Sequence, residues 1–199
     1  MINGIILASK SKIRSELLLK AGLEFTVVDA AIDEEALKCS YINKGYSASD
    51  LADILANMKA KNLSSKHPDK LVIGCDQIME FNGHILSKTI NPNNLVDQLK
   101  FLRNRSHTFY SACVVYIANK VEWRFIGSAT VTMRNLSDEY IYRYVDDNWN
   151  EIKYSVGGYQ IENNGISLLS KIDGDYFSIL GLPIIQLIDY LVNQGVLKH

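Results

Sequence analysis

Apolar positions along the chain fall into short unbroken runs, alternating stretches and stripes of helical spacing. Gly4 to Ala8 reads as a buried strand, and Phe25 to Val28 as a second. Between them Ile13, Leu17, Leu18 and Ala21 form a helical stripe that stops at Gly22, a C′ glycine, with Ser9 and Ser11 as candidate N-cap hydroxyls. An acidic run, Asp33-Glu34-Glu35, reads as a solvated loop. A long helix capped by Ser47 or Ser49 follows, with Leu51, Ile54, Leu55 and Met58 on one face. Leu71 to Cys75 is a strand apolar enough to lie inside a sheet. Ile78 to Phe81 and His84 to Ser87 then make a hairpin about Asn82-Gly83.

Asn91-Pro92 opens another helix, with proline suited to its first turn and Leu95, Leu99 and Leu102 facing inward. Thr108 to Ala118 and Val121 to Met133 predict two long strands joined at Asn119-Lys120. Ser137 starts a helix to about Asp147. A glycine-rich loop, a strand near Ile166 to Leu169, Asp173-Gly174-Asp175 and a helix after Gly181-Leu182-Pro183 complete the chain. Strands and helices mix without strict alternation, which predicts a mixed α/β sheet rather than a Rossmann fold. There is no G-x-G-x-x-G, no P-loop, and no repeat or linker that divides residues 1–199.

Composition adds mainly exclusions. The 199 residues are 47% hydrophobic and 22% charged, as in an ordinary globular protein. Twenty-one Lys and Arg against 22 Asp and Glu give a formal charge of −1, which argues against a general nucleic-acid or anionic-membrane surface but leaves room for a small basic pocket. Cys39, Cys75 and Cys113 are odd in number and far apart, so a disulfide framework is not expected and a reducing cytoplasm fits. No apolar run is long enough to span a membrane.

Four stretches could carry chemistry. Leu7 to Arg14 feeds a strand into a helix N-terminus with hydroxyls and cations at the junction, which is either a phosphate cradle or a capped surface helix. Asp33-Glu34-Glu35 could supply a metal ligand. Lys59-Ala60-Lys61, placed at the end of the long helix, is explained by the helix dipole alone. Asp76 stands where a buried strand leaves the core, and Lys88 where the hairpin returns. They form an ion pair, or else Asp76 holds a divalent cation or activates water while Lys88 meets an oxyanion. His67, His84, His107 and His199 have no ligand spacing, although His107, behind Arg103 and Arg105, could line a pocket.

Taken in order, these stretches resemble the Maf family of nucleotide pyrophosphatases. The most specific part is Leu7-Ala8-Ser9-x-Ser11-x-x-Arg14-x-Glu16-Leu17-Leu18. Asp33-Glu34, Leu55-Ala56-x-x-Lys59-Ala60, Ile73-Gly74-x-Asp76, Leu86-x-Lys88 and Arg105-x-His107 follow. Gly157-Gly158-Tyr159, Glu162, Gly165, Ile172-x-Gly174-Asp175-Tyr176 and Gly181-Leu182-Pro183 complete the register. The resemblance implies a single domain whose two α/β lobes surround a cleft, as in inosine triphosphatases. It implies hydrolysis of a nucleoside triphosphate to the monophosphate and pyrophosphate with a divalent cation, Mg²⁺ or Mn²⁺, in a cytoplasmic homodimer. Carried over by position, Asp76 and Glu34 would be the metal-side carboxylates, with Asp76 as base or metal organiser. Ser9, Arg14, Lys59 and Lys88 would hold the triphosphate. The other reading that the resemblance leaves open is a weakly catalytic nucleotide-binding regulator of cell division.

The chain departs from the family at Lys12, Ile13, Thr89 and Asn104, none of which removes a proposed catalytic group. Gln77 and Glu162 resemble the branch acting on 7-methyl-GTP rather than the dTTP/UTP branch. A glutamate can accept from the N–H edge of guanine and favours a cationic methylated purine. Ile13 stands where that branch carries tryptophan, and it cannot stack on a base in the same way.

Overall fold

The computed structural model describes residues 2–89 and 91–197; His199 lies outside them. One mixed sheet organises the chain, with strand order β2 (Thr26–Val27), β1 (Ile5–Ala8), β3 (Leu71–Phe81), β5 (Ser106–Ile117), β6 (Lys120–Met133) and β7 (Leu169–Gly174). The short β4 (His84–Leu86) pairs with β3 off this path. β1 runs parallel to β2 and β3, while the pairs from β3 to β7 are antiparallel. The expected mixed α/β architecture is therefore present, as are the two long strands and the Asn82-Gly83 hairpin.

Alternation along β3 explains the layering. Val72, Gly74 and Ile78 lie with the cluster built around α3 (Ala48–Ser64) through Leu51, Leu55, Ala56 and Ala60. Leu71, Ile73, Cys75 and Met79 belong to the larger cluster on the opposite face. That cluster contains Leu17 and Leu18 of α1 (Lys12–Lys20), Leu95 and Leu99 of α4 (Pro92–Leu102), Ile141 and Val145 of α5 (Asp138–Ile152), and Leu187 and Leu191 of α7 (Ile184–Asn193). Helices thus cover both faces, which is why β3 reads as a nearly continuous apolar run.

Three expected elements are corrected. The acidic run is not a loop: Asp33 accepts the Ala36 N–H as N-cap of α2 (Glu34–Asn43), and Glu34 and Glu35 occupy the favourable first turn. No residue of α2 is buried, so the helix leaves no apolar stripe in the sequence. Residues Asn164–Leu168 form a 3₁₀ turn, and the strand expected there begins at Leu169. β3 does not end at Cys75; it continues through Asp76 to Phe81.

The crossing of α3 over β3 is unusually close. A Cβ placed on Gly74 would collide with the Ala56 carbonyl oxygen and lie 2.8 Å from the Ala60 nitrogen. Backbone on the helix side cannot rotate away, so Gly74→Ala is expected to cost roughly 1–3 kcal/mol through overpacking. Urea unfolding measures this; an unchanged midpoint would show that the crossing yields easily.

Candidate active site

The sheet opens beside the middle of β3. β1 ends at Ala8 opposite Gly74, and β4 begins to pair only at Met79. Residues 75–78 therefore have no strand neighbour on that side, and side chains from both faces of β3 border one opening. This is why Asp76 resembles a strand end in the sequence: its strand continues, but its neighbour stops. The opening is a cleft of about 1200 Å³, at the C-terminal end of β1 where α/β sheets place their ligands. Its walls include Ser9 and Arg14 from the β1–α1 turn, Glu34 and Lys38 from α2, Lys59 from α3, Asp76 and Gln77 from β3, and Lys88, Glu162 and Ile13.

Of the two readings of Asp76 and Lys88, the ion pair is not the one formed. Asp76 Oδ1 lies 2.5 Å from Lys59 Nζ, and Glu34 Oε1 lies 2.9 Å from the same nitrogen. Lys59 is likewise not at an exposed helix end. It sits within α3 and is 6% exposed, against 4% for Asp76, because the Gly74 crossing draws the helix onto the strand. Burial pushes the Glu34 carboxyl up, but the charge and hydrogen bond of Lys59, with help from Lys38 and Lys88, outweigh it and hold the carboxyl below its usual range. Lys88 makes no ion pair among the described residues. Desolvation by the cleft walls lowers its pKa; Glu34 opposes that shift, and Lys38 and Arg14 reinforce it.

Arg14 is a structural node. It is 8% exposed, donating from Nε to the Gly181 carbonyl at 2.7 Å and from Nη1 to Ser9 Oγ at 2.9 Å and the Cys75 carbonyl at 3.1 Å. It thus fills part of the missing strand position and ties β1, β3 and the 181 turn together. Ser9 Oγ also accepts the Ser11 N–H at 3.3 Å. With both lone pairs engaged, the hydroxyl proton of Ser9 remains free to donate. Ser11 occupies the N-cap of α1 but makes no side-chain cap, and the first-turn residues Lys12, Ile13 and Arg14 line the cleft.

Gln77 is held by α6 (Tyr176–Ile179): its Nε2 lies 3.1 Å from Ser111 Oγ, 2.8 Å from the Ser178 carbonyl and 2.9 Å from the Ile179 carbonyl. Asp175 in turn caps α6 through the Phe177 and Ser178 N–H groups. Glu162 also lines the cleft, where desolvation and the charge of Glu16 raise its pKa. Lys38, Ser111 and Asp175 were not singled out from the sequence as site residues. Only Asp175 left a motif there, and Lys38 lies on the helix that the sequence did not reveal.

His107 does not line the cleft. It is 2% exposed, its Nε2 lies 2.5 Å from Tyr159 Oη, and its Nδ1 is buried without a partner. Desolvation lowers its pKa to about 4. The folded value lies below the unfolded one of about 6.5, so the unfolded state binds more protons between them. Stability should then be full above pH 6.5 and fall as the pH drops towards 4, by up to about 3 kcal/mol. Denaturant titrations of the parent and His107→Gln across pH 4–7 check this; an equally steep acid limb in the variant would contradict it.

A mixed α/β fold with a buried carboxylate, a half-exposed one and several cations around one cleft defines a site for an anionic substrate. The comparisons with known proteins make the assignment specific. Residues 4–194 match the Maf-like protein family, and the chain belongs to that family. A nucleoside triphosphate pyrophosphatase of Ruegeria sp. (strain TM1040) is 43% identical over 199 residues, covering all of both chains. One of Roseobacter denitrificans is 43% identical over 195 residues, 98% of each chain. A 7-methyl-GTP pyrophosphatase of Bartonella quintana is 39% identical over 197 residues, covering 99% of this chain and 98% of that one.

Proposed function

We propose that this protein hydrolyses nucleoside triphosphates between the α- and β-phosphates, releasing the monophosphate and pyrophosphate. The observation that carries the reading is the convergence of Asp76, Glu34 and Lys59 at the sheet opening, faced by further cations. A triphosphate carries roughly four negative charges, and more develops on the leaving pyrophosphate in the transition state. Two bare carboxylates would repel it. Lys59 reduces the trio to one net negative charge, while Lys88, Lys38, Arg14 and the open first turn of α1 supply positive potential. Ser9 donates its free hydroxyl proton to a phosphate oxygen. Arg14 acts chiefly by holding Ser9 in place, since two of its nitrogens already serve protein acceptors.

Asp76 aligns or deprotonates the attacking water. Among the described residues no three His, Cys, Asp or Glu side chains converge into a ready-made metal cage. The pair Asp76 and Glu34 nevertheless suits Mg²⁺ or Mn²⁺, hard ions that take one or two carboxylates and complete their shell with phosphate oxygens and water. When bound, such an ion supplies charge neutralisation at the phosphates. At the base end, the Oε1 of Gln77 and the carboxylate of Glu162 are acceptors for a purine N–H edge, which favours 7-methyl-GTP within the substrate class.

The reading includes a single domain acting as a cytoplasmic homodimer. The three free thiols suit a reducing compartment, and light scattering tests the dimer. No helix among the described residues is long and apolar enough to cross a membrane. Pyrophosphate release from a panel of normal and methylated triphosphates, with Mg²⁺ or Mn²⁺, tests the reaction. Binding without turnover would favour the nucleotide-binding regulator instead, and dTTP and UTP preferred by a large margin would exclude the methylated purine.

A further inference from the structure

We infer that Tyr154 is the aromatic platform on which the nucleobase stacks, a role that rests on the nucleotide reading above. Among the described residues three aromatic side chains line the cleft: Phe109, Tyr154 and Tyr159. Phe109 and Tyr159 are 3% and 5% exposed, packed edge-to-face with each other and with His107, so neither offers a free ring face. Tyr154 is 72% exposed, and its ring belongs to neither core cluster.

Its backbone, by contrast, is fastened. The Lys153 N–H bonds the Trp149 carbonyl, the Ser155 N–H the Ile152 carbonyl, and the Gly158 N–H the Ser155 carbonyl. Gln98 Nε2 donates to the Val156 carbonyl from α4. Gly158, at φ +70°, packs against Leu95 with no room for a Cβ. A held loop therefore presents a large amphipathic ring to the solvent of the cleft, the arrangement a stacking platform needs and a core residue does not. Lys153 Nζ lies 5.3 Å from the ring centroid and makes a cation–π contact with it.

Position in the cleft completes the case. Ile13 and Glu162 line the same cavity, and Ile13 offers an aliphatic surface without a π face. Tyr154 is therefore the exposed ring in the cavity that Ile13 and Glu162 also line. Base–aromatic stacking is sequence-tolerant, so Tyr154 would grip the base while Gln77 and Glu162 read its edge.

The test compares the parent with Tyr154→Ala, Tyr154→Phe and Tyr154→Trp on 7-methyl-GTP, GTP, UTP and dTTP, with inorganic tripolyphosphate as a competitive inhibitor that has no base. Tyr154→Ala should raise KM by roughly 5- to 150-fold with kcat little changed. Phenylalanine and tryptophan should restore KM, and inhibition by tripolyphosphate should not move. A KM within about two-fold of the parent for Tyr154→Ala, or an equal weakening of tripolyphosphate, overturns the platform while leaving the proposed reaction standing. Absence of pyrophosphate release by the parent overturns the reaction instead. The platform is then decided by the emission of Tyr154→Trp, corrected for the parent's two tryptophans. Quenching by nucleotides but not by tripolyphosphate upholds it, and no quenching rejects it.

Discussion

Asp76→Asn should lower pyrophosphate release by roughly 10²- to 10⁴-fold, the contribution of a positioned general base. The substitution preserves shape and leaves a carbonyl oxygen to accept from Lys59 at the position where Asp76 Oδ1 now sits at 2.5 Å. It removes only the charge and the basicity. Glu34 remains as the partner of Lys59, so the trio becomes neutral instead of singly negative. An anionic substrate then meets less repulsion, and KM should fall or stay level while kcat collapses. That split separates a lost base from a damaged binding site. Steady-state kinetics on the best substrate of the panel measure it, and a variant within about ten-fold of the parent would remove Asp76 from the chemistry.

Much of the fold was legible because its signals are local. Gly22 closes α1 at φ +79°, Asn82-Gly83 turns the β3–β4 hairpin, and Pro92 opens α4 behind the Asn91 cap. Asn104, where the family usually carries glycine, sits at φ +57°, a left-handed conformation that asparagine tolerates better than most residues. What local signals could not reveal was α2, whose residues are all at least partly exposed and therefore carry no periodic stripe. The extent of β3 was hidden for another reason. Asp76 breaks the apolar run because a neighbouring strand ends there, and pairing is not written in the strand's own residues.

The residues that border the cleft were legible in the sequence as a set, and their contacts were not. Asp76, Glu34, Lys59, Lys88, Ser9, Arg14, Ile13, Gln77 and Glu162 all border one cleft. Their partners depend on tertiary geometry, however. Lys59 reaches Asp76 only because Gly74 lets α3 approach, and Gln77 is fixed by carbonyls 101 and 102 residues further along the chain. Arg14 shows the limit most plainly. A cation near a helix N-terminus suggests an anion ligand, yet two of its three nitrogens serve Ser9, Cys75 and Gly181.

Lys59→Met should be the most destabilising of the substitutions considered. The side chains have similar length, and methionine fills the space under α3 with little strain. What it cannot do is compensate Asp76, which is 4% exposed and has Lys59 as its ion-pair partner. Breaking a buried pair from one side costs roughly 3–5 kcal/mol, because the remaining charge stays largely out of water without its cation. For a chain of this length that is a fall in Tm on the order of 10 °C. Glu34 contributes less to the loss, since its side chain is 40% exposed and can turn to water. Adding Asp76→Asn to Lys59→Met should recover most of the stability and none of the activity, because the one charge the double variant leaves unpaired, Glu34, is half-exposed to water, while the base is lost. Calorimetry on the two single variants and the double variant gives the coupling energy directly. Additive losses would mean that Lys59 supports the fold through its packed stem rather than its charge, and that Asp76 is compensated from elsewhere in the cleft.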